Sequence, residues 1–564
     1  MRKHKWLVLL LVLSMVLSLV LTGCGKNEDT PPANSEEGGS EEEVVDDGEK
    51  LADEQILRLN WGEEPPDLDP QTTTDQVSIE ILNAVYEGLV RLQPDGTVGP
   101  GLAESWDISD DQLTYTFHLR DAKWSDGTPI TAEDFEYAWF RAIDPEVAAQ
   151  YSYQLTDTGA IKNAGKYFNG EITDKEQVGI KALDEKTLQV ELERPVPFFL
   201  SLTSFVTFIP PQKAAVESFG DTFASEADKM VYSGPFIISE WEHEQKLVLK
   251  KNESYWDAEN VKLQEIRGDM ITDSNTAINL YETGELDITG VPPEFLDNYK
   301  DTEEFVNLAE ATTWYIQYNC EDKYLQNKNL RYALSYAIDV QSFVDNVLAN
   351  GSIVAGGLTP TLLPGKDGKE FAENRGHILP KYDPAKAKEY FDKALEELGV
   401  TAEEVGKHLT FLTGESDTAK KQAAAIQNMW KQNLGIEVQI ESVSFKLRID
   451  RYDRKDYTTT FAGWGGDYND PLTFMDLWVT GGGNNTAFWS NAEYDAAIKK
   501  AQTGMGDERI DAMLEAEKIL AEELPVFPIF YRARNFVQRT YVKDVARFPV
   551  GADIDFKWAY IIEH

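Results

Sequence analysis

The residues that do covalent or metal chemistry in proteins are present in this chain but do not gather. The six histidines, His4, His118, His243, His377, His408 and His564, are scattered, and none stands four residues from another. A helix that offers two imidazoles to one metal needs that spacing, as in H-E-x-x-H. No phosphate-cradling P-loop, dinucleotide-binding glycine fingerprint or G-x-S-x-G elbow occurs. Asp467-Tyr468-Asn469-Asp470 begins like a calcium loop, but Pro471 and Leu472 stand where an acid and a glycine are needed. With 98 acidic residues a pair of glycosidase carboxylates has room to exist, yet no pair stands out. Cys320, beside Asn319, reads as a small buried side chain rather than a nucleophile. These absences favour binding over catalysis and call for no metal and no cofactor.

The elements that must position any site mix strands and helices, with no internal repeat. Ile56–Trp61 reads as a strand, and Leu113–Leu119 alternates strong β-formers. Ser78–Leu89 carries an apolar helical face, and Trp124–Pro129 is a turn. Thr131 is placed to cap a helix with Asp134 three residues on. Asn327–Asn350 reads as one long helix stopped by Gly351. Pro384–Leu398 is another, with proline at its start. Ala423–Leu434 is a third, closed by Gly435 and followed by a strand over Ile436–Val443.

The N-terminus is a targeting segment. Arg2, Lys3 and Lys5 precede an apolar run from Trp6 to Leu21, broken only by Ser14 and Ser18. That run is shorter than the roughly 20 residues that span a bilayer comfortably. It ends in Leu21-Thr22-Gly23-Cys24, which resembles a bacterial lipobox, so residues 1–23 are expected to be removed and Cys24 acylated. The segment 24–54 is then a disordered acidic spacer: Asn27–Glu54 holds twelve acids and one lysine. Thirty flexible residues reach on the order of 30 Å. About 510 residues follow, enough for more than one lobe. A formal charge of −45 argues against nucleic acid as a partner. With Cys24 taken by lipid, Cys320 is unpaired and no disulfide is expected.

Ordered motifs then run through the body. They are Tyr86-Glu87-Gly88-Leu89, Leu102-Ala103-Glu104-Ser105-Trp106, Trp124-Ser125-Asp126-Gly127 and Thr131-Ala132-Glu133-Asp134-Phe135. Later come Gly234-Pro235-Phe236, Asn252–Asp257, Leu330–Asp339 and Phe461–Pro471. In this order they resemble the peptide and nickel family of ABC-importer solute-binding proteins, and most of all its oligopeptide binders. The resemblance implies an α/β fold of two lobes joined by a hinge, with an extra α+β domain inserted in the first lobe. Lobe I would comprise residues 55–86, 212–311 and 532–564, the insertion 87–211 and lobe II 312–531. A monomeric, extracytoplasmic, lipid-anchored protein would hand its ligand to a membrane-embedded ABC permease.

The same resemblance implies a site. Gly463, Trp464 and Gly465 would pair with a peptide's main chain on one side, and Thr74, Asp75 and Gln76 on the other. Asp467 matches the position that receives the peptide's ammonium, although it can also be read as a turn cap; Asp470 is the more natural turn residue. Tyr315, Phe445 and Tyr531 fall near family contact segments and serve equally well as core. Phe461 stands where some oligopeptide binders place an arginine for the peptide carboxylate. Arg451, Arg454 or Lys455 could substitute, or be solvated surface charges. Phe461 therefore favours longer peptides, or ones whose carboxyl end is solvated. A signalling peptide, another small solute or a metal chelate is the alternative ligand, and direct nickel binding is disfavoured by the dispersed histidines. A secreted hydrolase or a surface adhesin is the alternative class.

Overall fold

A computed structural model describes residues 49–564; the targeting run, Cys24 and most of the acidic segment lie outside the described residues. The spacer expected to reach Glu54 stops short of it. Leu51 pairs with Ile562, the Ala52 N–H donates to the Ile561 carbonyl at 2.9 Å, and Gln55 exchanges side-chain bonds with the Ile561 backbone at 2.7 and 2.9 Å. Charge density alone did not reveal this tie, because it depends on residues 500 positions away.

An 11-stranded sheet runs through the body. Its spine is two long antiparallel neighbours, Phe305–Tyr318 and Val526–Gln538. At about 3.3 Å per residue such strands exceed 40 Å, long enough to belong to two halves at once. On one side the order continues through Ile288–Gly290, Ile56–Asn60, Glu265–Asp269, Lys246–Lys251 and Phe236–Glu242. On the other it continues through Thr459–Gly465, Thr410–Gly414 and Gln439–Val443. Between the spine strands the pairing is continuous from Phe305 to Ala309 and resumes at Thr313, opposite Tyr531. That skip is a bulge, where a pair of strands bends.

The cores separate on either side of the bulge. One cluster joins Leu57, Ile81, Leu249 and Ile266 with Phe117, Trp139 and Leu188. Two others, around Trp430 and Phe461 and around Trp478 and Met513, draw on the segment after residue 311. Within 103–191 a second, antiparallel sheet of four strands forms under the helix Ala132–Ala142. Its core runs without a break into the first half.

Several elements match their expected bounds. Pro384–Leu398 is one helix, capped by Asp383 and ended by Gly399 at φ +65°. Asp134 accepts from the Thr131 N–H at 2.9 Å, as its spacing predicts. The helix expected from Ala423 starts earlier, at Asp417, with Ser416 as its cap; its first turn is polar and carries no periodic signal. The long helix expected over 327–350 is broken. Lys328–Tyr336 ends, and the Asp339 side chain accepts from Ser342 N–H at 3.0 Å, starting a new turn that winds as a π-helix over Phe343–Leu348. An internal cap of this kind competes with the helix it interrupts. The helix expected over 78–89 runs from Gln76 to Val85.

Candidate functional site

A cavity of about 680 Å³ lies along the spine strands, lined from both halves and from the second sheet's domain. Nine of the sequence-derived site residues line it: Thr74, Asp75, Gln76, Tyr315, Phe445, Gly463, Trp464, Gly465 and Asp467.

The strand Thr459–Gly465 supplies one wall. Along one edge it pairs with Phe305–Tyr318, as far as Gly465 opposite Thr312. Its other neighbour, Thr410–Gly414, meets it only at Thr459 and Thr460. Beyond that point the second edge has no strand beside it among the described residues, so the backbone of residues 461–465 can take an added strand. Gly463 also has a packing reason: a Cβ there would come 2.7 Å from the Trp314 ring, so the glycine makes room for the indole behind the strand. Phe461 fills the core with Trp314, their ring centres 5.3 Å apart.

Asp467 follows this strand. Its carboxylate accepts from Gln154 Nε2 at 3.0 Å and from the Tyr151 hydroxyl at 3.3 Å. Both donors are neutral, and no Lys, Arg or His nitrogen among the described residues lies within 4 Å. Burial raises the acid well above the usual carboxylate range, and nearby Asp476 pushes it further. Asp470 contrasts with it. Arg509 grips it with two bonds of 2.7 Å, and it caps the turn at Pro471 by accepting from Leu472 N–H. Two acids three residues apart are thus divided, one fully paired and one awaiting a cation.

The other expected residues fall out as follows. Asp75 caps the helix Gln76–Val85 by accepting from Ser78 N–H at 2.9 Å, and burial lifts its acid to about 7. Gln76 is already helical and donates to the Gly551 carbonyl at 3.1 Å. Tyr315 is buried edge-on against Trp478. Of the two readings left open for Tyr531 the core one fits: it is not among the residues lining the cavity, and its hydroxyl meets Arg375 and Gly357. Arg451, Arg454 and Lys455 are ion-paired to Glu441, Asp450 and Glu321, away from the cavity lining. Cys320 is partly buried, and burial pushes its thiol up to about 11, which suits packing and not nucleophilic attack.

Sequence reasoning missed Tyr151 and Gln154, which meet Asp467 across more than 300 positions, and for these no local signal exists. It also missed a set of buried donors facing the cavity without a partner in the protein: the indole N–H groups of Trp314 and Trp464, and Asn484 Nδ2. Such groups suit a ligand rich in carbonyl oxygens. Among the described residues no group of three or more His, Cys, Asp or Glu is arranged to hold a metal, and no helix is long and apolar enough to cross a membrane.

The sequence profile of the bacterial extracellular solute-binding proteins, family 5, matches residues 97–486. The chain belongs to that family. It is 35% identical to the oligopeptide-binding protein OppA of Bacillus subtilis over 569 residues, covering 99% of each. The peptide-bound OppA of Listeria monocytogenes superposes with a TM-score of 0.86 at 36% identity, over 91% of this chain and all of that one. The two-lobed α/β architecture of that family is therefore this chain's fold. The murein tripeptide-binding protein MppA of Escherichia coli gives 0.81 at 29% identity, over 91% of this chain and all of that one. The unliganded open form of MppA gives only 0.57 at 29% identity, over 91% and 98%. This solute-binding protein therefore stands with its lobes closed. Contacts across the cleft agree: Thr158 donates to Asp476 at 2.9 Å, and Phe198 stacks on Tyr468 at 4.9 Å.

Proposed function

We propose that this protein captures oligopeptides between its lobes and delivers them to the membrane-embedded permease of an ABC importer. One observation carries the reading: a buried carboxylate, Asp467, at the wall of a cavity beside an open strand edge, with two neutral donors and no cation. A peptide's ammonium is the complement of the first, and its main chain the complement of the second. The names of the relatives, oligopeptide-binding proteins and one solved with peptide, support the same ligand class. Gly463, Trp464 and Gly465 form the pairing edge, with Thr74, Asp75 and Gln76 across from it and Tyr315 and Phe445 as apolar wall.

Closure is a population shift driven by contacts that both lobes make with one ligand. The boundaries near residues 311 and 531 fit a hinge at the bulge, and 87–211 fits an insertion in the first lobe. Cys24 carries the lipid that keeps the protein on the outer face of the cell membrane. The test is calorimetry of the full-length protein with a free-amine tetrapeptide and its N-acetylated twin. Binding of the first and not of the second is the expected result. Equal binding of both removes Asp467's role, and binding of neither removes the peptide reading.

A further inference from the structure

Three cationic side chains line the cavity: Arg448, Arg532 and Arg534. Two are committed. Arg532 donates to Glu310 at 2.5 Å, and Arg534 to Asp553 at 2.6 Å. Arg448 is free. Among the described residues its guanidinium has no hydrogen-bond or ion-pair partner, and its Nε is fully buried. A buried donor of this strength is costly to leave unpaired.

Its setting keeps the fork accessible. Arg448 stands on the helix Phe445–Asp453, with its guanidinium carbon 5.1 Å from the Phe445 ring centre. Gly414, at the end of its strand, lies beside the guanidinium; a Cβ there would make ordinary contact, 3.7 Å from Nη1. The acids that act here are Glu63, which reaches the cavity wall from the first lobe, and Glu415, which is exposed. Neither lies within 4 Å of the guanidinium. Burial lifts Glu63 above the usual carboxylate range; Arg448 pulls it back and Glu415 adds to the rise. Arg448 and Asp467 form no ion pair with each other; they belong to different elements, the helix Phe445–Asp453 and the turn after the strand Thr459–Gly465.

We propose that Arg448 receives a carboxylate of the bound ligand. It would then select peptides that present an ammonium to Asp467 and a carboxylate at the separation of these two side chains. The planar guanidinium takes a carboxylate through two parallel bonds, which fixes direction as well as charge. This rests on the peptide reading above. It also supplies what Phe461 withholds, because the cation comes from the helix and not from the strand. The carboxylate has two sources, the peptide's C-terminus or an acidic side chain.

The test is calorimetry of the full-length protein, wild type and Arg448→Gln, against one tetrapeptide in four versions. These are the free acid, the C-terminal amide, the amide with one glutamate side chain and the amide with one lysine. In the wild type, at least one carboxylate-bearing version should bind tenfold or more tighter than the plain amide. The free acid identifies the C-terminus as the source, and the glutamate version a side chain. In Arg448→Gln that preference should vanish, and Arg448→Lys should recover part of it. A single cooperative ligand-free melting transition will show that the variants fold. Peptide binding by the wild type without any preference for a carboxylate, a preference for lysine, or a preference that survives Arg448→Gln overturns this proposal alone. Failure of the wild type to bind any version overturns the peptide reading with it.

Discussion

Replacing Asp467 with asparagine separates two effects that usually move together. In the bound state the side chain is the countercharge of a buried ammonium. Asparagine keeps the shape and one acceptor, but its amide nitrogen is a further donor where Gln154 and Tyr151 already donate at 3.0 and 3.3 Å. The ammonium is then buried without a partner, which costs about 3–5 kcal/mol when one member of a buried pair is removed. At about 1.4 kcal/mol per tenfold, affinity for a free-amine peptide falls by roughly two to nearly four orders of magnitude. In the ligand-free protein the sign reverses. Burial and Asp476 both disfavour the Asp467 carboxylate, so removing it leaves the free protein as stable as wild type or more so at neutral pH. Calorimetry and thermal melting on the same samples read both quantities. Acetylating the peptide and changing Asp467 remove the same interaction, so together they should cost little more than either alone. A variant that binds free-amine peptide within about threefold of wild type, or one that melts well below it, would refute the reasoning.

Four further outcomes are expected. Asp75 and Asp476 are lifted by burial to about 7, above their unfolded values; the folded state then binds more protons, so the free protein's melting temperature should fall as pH rises from about 4 to about 7, and Asp476→Asn should flatten that slope. Because an ammonium favours the ionised form of Asp467, affinity for free-amine peptides should strengthen with rising pH over the range where the free carboxyl still holds its proton, with proton release seen as a buffer-dependent heat, and Asp467→Asn should abolish the trend. Gly463→Ala should cost about 1–3 kcal/mol of stability through the Trp314 ring, measured by denaturant unfolding. Cys24→Ser should move the protein from the membrane fraction of an expressing bacterium to the soluble fraction or the medium.

Much of this molecule could be read from local chemistry. Pro384 with Gly399, and Thr131 with Asp134, mark helix ends because caps are satisfied within a few residues. The Gly463–Asp467 segment could be placed at the site because its motif is contiguous. What stayed hidden depends on partners far along the chain. Tyr531 sits on the same strand as cavity residues yet faces Arg375, a choice made by strand register and not by residue type. The break at Asp339 was masked by an apolar pattern that continues through it. Sequence reasoning weighed Arg451 and Arg454 and passed over Arg448; only the assembled cavity shows that those two are paired and that it is not.

The pairing of residues 50–52 with 561–563 also has a mechanical meaning. If the chain is anchored at Cys24 as proposed, any pull transmitted along it enters the body near residue 50 and meets the backbone bonds to the final strand. Both segments belong to the lobe that holds Gln55 and Ile561. The force therefore has no lever arm on the bulge between Ala309 and Thr313. A membrane that drags on its passenger will rotate the whole body and leave the clasp of the lobes, and whatever they hold, undisturbed.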